Sequence, residues 1–380
     1  MDLNDYRKEI DRIDDQLIAL FAQRMETAEK IAEYKKANGL RVLDARREKE
    51  KMREILDKTP DDLREYVSSL YSLIFELSRS RQSCLLGARG DLPAKIAEAI
   101  EKTPHLFPQE AAVACQGVEG AYSHQAADQF FAQPEITFFD KFEDVFAAVE
   151  DGVVDYGVLP VENSTAGSVT QVYDLMRKHS FYITKATKVL VRHNLLTAAE
   201  STLDEVTDIY SHPQALSQCM ALQEQYRDIR FHEYSNTAAA AKFVAQQHDP
   251  HLAAIASAKC AELYDMHTLR KDVQDVTGNA TRFICISKIA GFSAQANKIS
   301  LCLTVPHKPG ALYHLLHKFA LNSLNLCKLE SRPYPGKKFE YLFYLDIEGK
   351  CSDFQVRWLL NDLNNQLGYF KFLGSYEEVE

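Results

Sequence analysis

The sequence predicts a multidomain chain with an all-α segment, a two-lobed α/β segment and an α+β segment in that order. Three observations carry the division. From 4 to 37 there is no Gly or Pro, and apolar residues recur at three- and four-residue steps (Ile10, Ile13, Leu17, Leu20 or Phe21, Met25, Ala28, Ile31), the pattern of one long amphipathic helix. From 111 the period changes to short apolar runs alternating with helical segments, as in open α/β sheets. From 299 the elements read β-α-β-β-α-β, a ferredoxin-like order. At 380 residues, two or three cores are expected.

Composition narrows the function classes. Hydrophobic residues make up 46% and charged residues 26%, as in an ordinary soluble globular protein. A net charge of −10 argues against nucleic acid or an anionic membrane as partner, while leaving room for small anions in a locally basic pocket. The N-terminus has no apolar signal core, and no run is long enough to span a bilayer. The eight cysteines are scattered without a C-x-x-C pair, which reads as buried thiols in a reducing, cytoplasmic location. The two N-x-T matches, Asn163 and Asn279, are then coincidental sequons.

The first helix, 4–37, ends at Asn38-Gly39. A charged helix follows over 45–58, stopping at Pro60, and a third runs from 61 or 62 to 84 with Leu63, Val67, Leu70, Leu73, Ile74 and Leu77 on one face. The first helix carries a longer apolar stripe than the other two can cover, so a helical homodimer is expected. Arg24 interrupts that stripe, and Lys35 falls within about 20° of the same face. Arg7 lies about 25 Å from Arg24 along the axis. If both serve one ligand, Arg7 comes from a second subunit; otherwise each basic side chain reaches solvent along its own stem.

Arg7, Arg24, Lys35, the run Asp44-Ala45-Arg46-Arg47-Glu48, Ser78 and Gln82 together resemble the all-helical chorismate mutase family over its full length. The resemblance implies an intertwined dimer in which Arg24, Arg47 and a partner's Arg7 hold the two carboxylates of chorismate. Lys35 and Gln82 would donate to the ether oxygen. Glu48 and the backbone near Asp44 would take the ring hydroxyl, with Ser78 supporting. The rearrangement is pericyclic and needs no nucleophile or cofactor, only a held conformer and stabilised developing charge.

Residues 87–108, with Gly87, Gly90, Pro93, Pro104 and Pro108 around a helix at 94–102, read as a linker. Beyond it, strands are expected at 111–115, 156–161, 181–191, 208–210, 230–234, 252–255 and 283–287, and helices at 123–131, 142–150 and 169–178, the last capped by Ser168. Polar turns follow the strands: 117–124, 162–165 (Glu162, Asn163, Ser164, Thr165), 211–214, 235–237 and 278–283. Such turns at helix starts suit an anionic ligand. The first turn holds G-x-x-G, not G-x-G-x-x-G, and no Walker lysine follows, so neither a dinucleotide nor ATP is supported. His248/His251 and His314/His317 have no carboxylate at ligand spacing, so no metal is expected.

As a set these turns resemble the prephenate dehydratase family, most specifically through Thr281-Arg282-Phe283. The resemblance implies a two-lobed domain similar to periplasmic solute-binding folds, with prephenate between the lobes losing CO₂ and its ring hydroxyl. Thr281 would donate to the departing hydroxyl as a positioned hydrogen-bond donor. Asn163, Ser164, Thr165, Ser211, Gln214, Thr237 and Phe283 would bind substrate. Arg282 would anchor a carboxylate or buttress its loop, and His212 would act as an acid or order its turn before Pro213.

In the C-terminal segment, strands are expected at 299–305, 324–331, 340–347 and 369–374, with helices at 311–321 and 352–367. Gly310-Ala311-Leu312 and Glu330-Ser331-Arg332 resemble the phenylalanine-sensing ACT domain, with Tyr313 where leucine is common. The whole chain thus resembles the bifunctional P-protein family. Its expected organisation is a mutase at 1–90, a linker at 91–108, a dehydratase at 109–290 and an ACT domain at 297–378. Chorismate and prephenate are the expected substrates and phenylalanine the expected inhibitor, with no cofactor. The alternative is that only one catalytic domain is active and the other serves as sensor or dimerisation module.

Overall fold

A computed structural model describes residues 2–40, 44–86, 91–104, 107–198, 200–293, 295–337 and 339–379. Gly87 and Gly90 of the expected linker lie outside the described residues. The chain divides into two compact units, 1–94 with 357–366, and 95–356 with 367–380. Among the described residues no helix is long and apolar enough to cross a membrane.

The first unit is helical: α1 (Leu3–Ala37), α2 (Ala45–Asp57), a 3₁₀ turn at Asp61–Leu63 and α3 (Arg64–Leu86). Asp2 caps α1 in a reciprocal capping box with Asp5, and Asp44 caps α2 by accepting from the Arg47 N–H. The α1 stripe splits in two. Ala28 and Ala32 are buried toward α3, where small side chains let the helices approach. The N-terminal half leaves Ile10, Ile13, Leu17 and Leu20 exposed, Leu20 by 62%.

After α3 the chain continues with α4 (Asp91–Lys102), β1 (Glu110–Gln116), α5 (Tyr122–Phe130), β2 (Gln133–Phe139), α6 (Phe142–Asp151), β3 (Tyr156–Asn163), β4 (Gly167–Ser168), α7 (Thr170–Lys178) and β5 (Tyr182–Leu190). A second lobe follows with β6 (Asn194–Thr197), β7 (Asp208–Ser211), α8 (Pro213–Ser217), α9 (Met220–Gln225), β8 (Arg230–Glu233), α10 (Thr237–Gln247), β9 (Leu252–Ala256), α11 (Ala258–Leu263) and β10 (His267–Arg270). The chain returns to the first lobe in β11 (Ala280–Ser287). It closes with β12 (Lys298–Thr304), α12 (Ala311–Leu321), β13 (Leu326–Pro333), β14 (Tyr341–Glu348), α13 (Phe354–Gln366) and β15 (Phe370–Val379).

Two lobes result because two sheets form. The second lobe is a five-stranded sheet, β10-β6-β9-β7-β8, with α8 and α9 over one apolar face and the alanine-rich α10 and α11 over the other. The other sheet runs β13-β14-β12-β15-β5-β11-β3-β1-β2 with β4 beside β3. Its C-terminal strands take the expected ferredoxin-like order, but there is no break before them: β15 pairs in parallel with β5, Glu377 opposite Lys185. One core joins Val145, Leu159 and Ile284 to Tyr344, Leu373 and Tyr376.

Three local expectations change. Residues 280–282 belong to β11 and not to a turn. Ser168 lies in β4 and does not cap α7, whose N-cap is Val169. Most of the second helix of the ferredoxin-like pattern, 357–366, groups with the first unit.

Gly374 marks where β15 crosses onto β5. Its φ is +151°, and a Cβ there would meet the Ile183 carbonyl oxygen at 2.3 Å. Backbone cannot yield as a flexible side chain can, so Gly374→Ala is expected to lower the unfolding free energy of this unit by at least about 2 kcal/mol, read as a shifted urea midpoint. An unchanged midpoint would mean that β15 does not cross there.

Candidate active sites

In the helical unit, charges converge between α1, α2 and α3. The Arg24 guanidinium donates to Ser78 Oγ and, at 3.4 Å, to the Ile74 carbonyl, and lies over the Phe75 ring. Burial pulls its pKa down from the usual value, Tyr71 and Glu48 opposing. Lys35 Nζ donates to Gln82 Oε1 at 3.3 Å. Ser78 and Gln82 are buried. Glu48 accepts from Arg79 at 2.6 Å, a pairing that nothing in the sequence singled out. Arg47 is exposed, 3.8 Å from Glu54. Arg24, Lys35, Glu48, Ser78 and Gln82 therefore share one corner of the unit, with Asp44 and Arg47 at the start of α2, while Arg7 stands exposed near the far end of α1.

The second unit holds a cavity of 590 Å³ between its lobes. It lies where strands end and helices begin: β1 into α5, β4 into α7, β7 into α8, and β8 into α10. The first residues of these helices form its wall, including Tyr122, Thr170, Gln214 and Thr237. Among the described residues that line it there is no Lys, Arg, Asp or Glu. The lining is instead made of helix starts with hydroxyls and amides, where the sequence left Arg282 as either a carboxylate anchor or a buttress of its loop.

The centre of the wall is Asn163 at the end of β3, opposite Thr281 at the start of β11. Asn163 Oδ1 accepts from the Thr165 and Ala166 N–H groups at 3.1 and 2.9 Å. The amide orientation is thereby fixed, and Nδ2 donates to Asn279 Oδ1 at 2.8 Å and Thr281 Oγ1 at 2.9 Å. Thr281 Oγ1 is an acceptor toward Asn163, which leaves its O–H proton for another partner. The amide chain continues from Asn279 Nδ2 to Gln218 Oε1 at 3.2 Å. Gln218 Oε1 also lies 3.1 Å from His193 Nε2, so the donor there is a ring N–H. Burial lowers the His193 pKa and keeps the ring neutral, Gln218 opposing.

Of the expected binding residues, Asn163, Gln214, Thr237, Thr281 and Phe283 line the cavity. Ser211 does not: it is fully buried and its hydroxyl donates to the Ile255 carbonyl at 2.6 Å. Ser164 points to Asn279 and takes the Ala280 N–H, and Thr165 contributes its backbone N–H to Asn163. Arg282 is turned away from the cavity, because strand alternation puts it on the face opposite Thr281. Its guanidinium donates to Glu378, to Asp346 at 2.5 Å and to Tyr376 at 2.9 Å. His212 orders its turn: Nδ1 accepts from the Gln214 N–H, which requires a ring lacking a proton there, and burial lowers its pKa, Glu233 opposing. Tyr122 and Asn236, in the flagged turns 117–124 and 235–237, join the wall without having been singled out, and so do His193 and Gln218. Asn279 stood in a flagged turn, whereas nothing local marked Gln218 or His193.

In the C-terminal segment, Gly310 precedes α12 with φ +77°, Ala311 is buried, Leu312 is half-buried and Tyr313 is exposed. On β13, Glu330 and Arg332 turn toward the first lobe: Glu330 accepts from Ser168 Oγ at 2.7 Å and Arg332 pairs with Asp174 at 2.9 Å. Ser331 faces out.

A chorismate mutase type II model matches residues 6–83 and a prephenate dehydratase model matches 113–290. The bifunctional chorismate mutase/prephenate dehydratase of Escherichia coli K12 is 31% identical over 378 residues, covering 97% of this chain and 95% of that one. This chain belongs to the bifunctional chorismate mutase/prephenate dehydratase family. As a member it rearranges chorismate to prephenate, then decarboxylates and dehydrates prephenate to phenylpyruvate. Among solved structures, a prephenate dehydratase in complex with L-Phe from Arthrobacter aurescens aligns at TM-score 0.65 and 27% identity, over 70% of this chain and 90% of that one. A quorum-quenching acylase aligns at TM-score 0.64 and 30% identity, over 70% and 98%.

Asn163→Asp keeps the shape of the amide but replaces its donor edge with an acceptor. Prephenate dehydration is expected to fall roughly 10²-fold, while chorismate rearrangement by the same chain holds. Near-normal dehydration would mean that the Asn163–Thr281 bond does not matter to the reaction.

Proposed function

We propose that Thr281 carries the dehydration as a positioned donor to the departing hydroxyl. The observation behind this reading is the Asn163 donation into Thr281 Oγ1, which directs the threonine proton elsewhere. The first turns of α5, α7 and α10, with Gln214 and Thr237, hold the side-chain carboxylate. Phe142, Val191 and Phe283 give the same cavity an apolar wall, and a ring carboxylate against it is desolvated, which favours its loss as neutral CO₂. Aromatisation drives the step.

In the helical unit Arg24 and Arg47 take the carboxylates of chorismate, Lys35 and Gln82 the ether oxygen as the C–O bond breaks, and Glu48 the ring hydroxyl beside Asp44, with Ser78 orienting Arg24. Arg7 completes the site from a second copy of the chain. The exposed α1 stripe supports that reading, because Ile10, Ile13 and Leu17 need cover that α2 and α3 do not give. The domains are 1–90, 109–290 and 297–378, in a cytoplasmic enzyme.

The C-terminal lobe is an ACT domain through which phenylalanine inhibits the enzyme. Its strand order and the segments Gly310–Leu312 and Glu330–Arg332 support this, as does the L-Phe complex of the Arthrobacter relative.

Lys35→Ala is expected to abolish chorismate turnover and to leave dehydration of supplied prephenate nearly intact. Product assays on the purified chain, with chorismate or prephenate as substrate, read both at once. Equal loss of both activities in a folded protein would contradict the assignment of separate sites.

A further inference from the structure

The catalytic pair has a back side. Asn163 and Thr281 are opposite each other in the β3–β11 register, and so are their neighbours Glu162 and Arg282. The first pair meets the cavity. The second meets the C-terminal strands: Arg282 engages Asp346 of β14 and both Tyr376 and Glu378 of β15, while Glu162 Oε1 lies 2.9 Å from Lys328 Nζ of β13. Two further contacts tie this layer together. Lys298 Nζ stands 3.1 Å from Glu378, and Lys328 Nζ donates at 3.1 Å to Ser168 Oγ, a cavity-wall hydroxyl that itself donates to Glu330.

Most of these charges are shielded from water, while Glu162, reached from the buried Lys328, keeps 40% of its side chain exposed. Side-chain exposure is 11% at Arg282, 12% at Asp346, 7% at Glu378 and 11% at Lys328. Burial pushes the Glu378 carboxyl up, but Arg282 and Lys298 bring it below the usual range, so it is ionised. An ion layer of this kind holds geometry tightly, since separating one partner leaves a buried charge uncompensated. A shift of β13–β15 therefore reaches the residues next to Asn163 and Thr281 through side chains already bonded.

We propose that Glu162 and Arg282 are positioning residues through which the C-terminal strands set the Asn163–Thr281 pair, so that an amino acid bound on that lobe alters dehydration without entering the substrate cavity. The proposal rests on the feedback reading above. Its energetic content is specific: an amino-acid ligand that recruits Glu330 or Arg332 removes a partner from Ser168 or Asp174, and that difference between bound and free states is what biases the layer.

The test uses the full chain with Lys328→Gln and, separately, Asp346→Asn. Phenylalanine binding is measured by calorimetry, and prephenate dehydration with and without saturating phenylalanine. Wild type is expected to bind phenylalanine and to be inhibited. Each variant is expected to keep its prephenate KM and its phenylalanine binding, while inhibition weakens about tenfold or more. Should Asp346→Asn fail to fold, Lys328→Gln decides, since it trades one charge for an amide of similar reach. Variants inhibited as strongly as wild type would overturn the coupling and leave the feedback reading standing. Loss of binding together with inhibition would make these residues part of the effector site and also overturn it. A wild type that neither binds phenylalanine nor is slowed by it would remove the feedback reading and the proposal with it.

Discussion

The dehydratase half depends on one fixed amide. Asn163 has two backbone N–H groups on its oxygen, so its nitrogen has no freedom to exchange places with it. Everything at the centre of the cavity takes its polarity from that choice: Asn279 must accept, Thr281 Oγ1 must accept, and Gln218 receives from both Asn279 and His193. Hydroxyl groups rotate to suit their neighbours. Here the neighbour leaves Thr281 with a proton to give and one direction already occupied.

The two halves of the chain differ in the charge they gather around their candidate sites. The helical unit gathers guanidinium and ammonium groups, with Arg24, Arg47, Lys35 and Arg79 near one corner. Between the lobes, no Lys, Arg, Asp or Glu lines the cavity among the described residues, and helix starts border it instead. The difference suits the proposed chemistries. A rearrangement that develops negative charge on an ether oxygen gains from a cation beside it. A decarboxylation loses an anion, and a lysine or arginine beside the ring carboxylate would hold the ground state back.

Helix and strand order were legible in the sequence because each unit buries a face at its own period. Spacing along α1 put Arg24 and Lys35 on one face, and both do reach α3, at Ser78 and Gln82. What misled was the boundary of β11. Read as a turn, Thr281-Arg282-Phe283 can aim three side chains at one ligand; as a strand, it aims alternate residues at opposite faces, and Arg282 goes to Asp346 and Glu378. Ser211 failed for a similar reason, since the last residue of β7 is still buried under the neighbouring strand. Gln218, at the end of α8, and His193, between β5 and β6, were invisible because nothing in their local sequence marks a cavity wall. The joining of the C-terminal strands to β5 is a long-range pairing of three residues, which no local pattern announces.

If the Asn163 donor acts through Thr281, the two side chains form one functional unit, and a double-mutant cycle on prephenate dehydration measures that directly. The account predicts that Asn163→Ala combined with Thr281→Ala costs no more in kcat than Thr281→Ala alone. Losses that multiply would show the two residues acting independently and would contradict it.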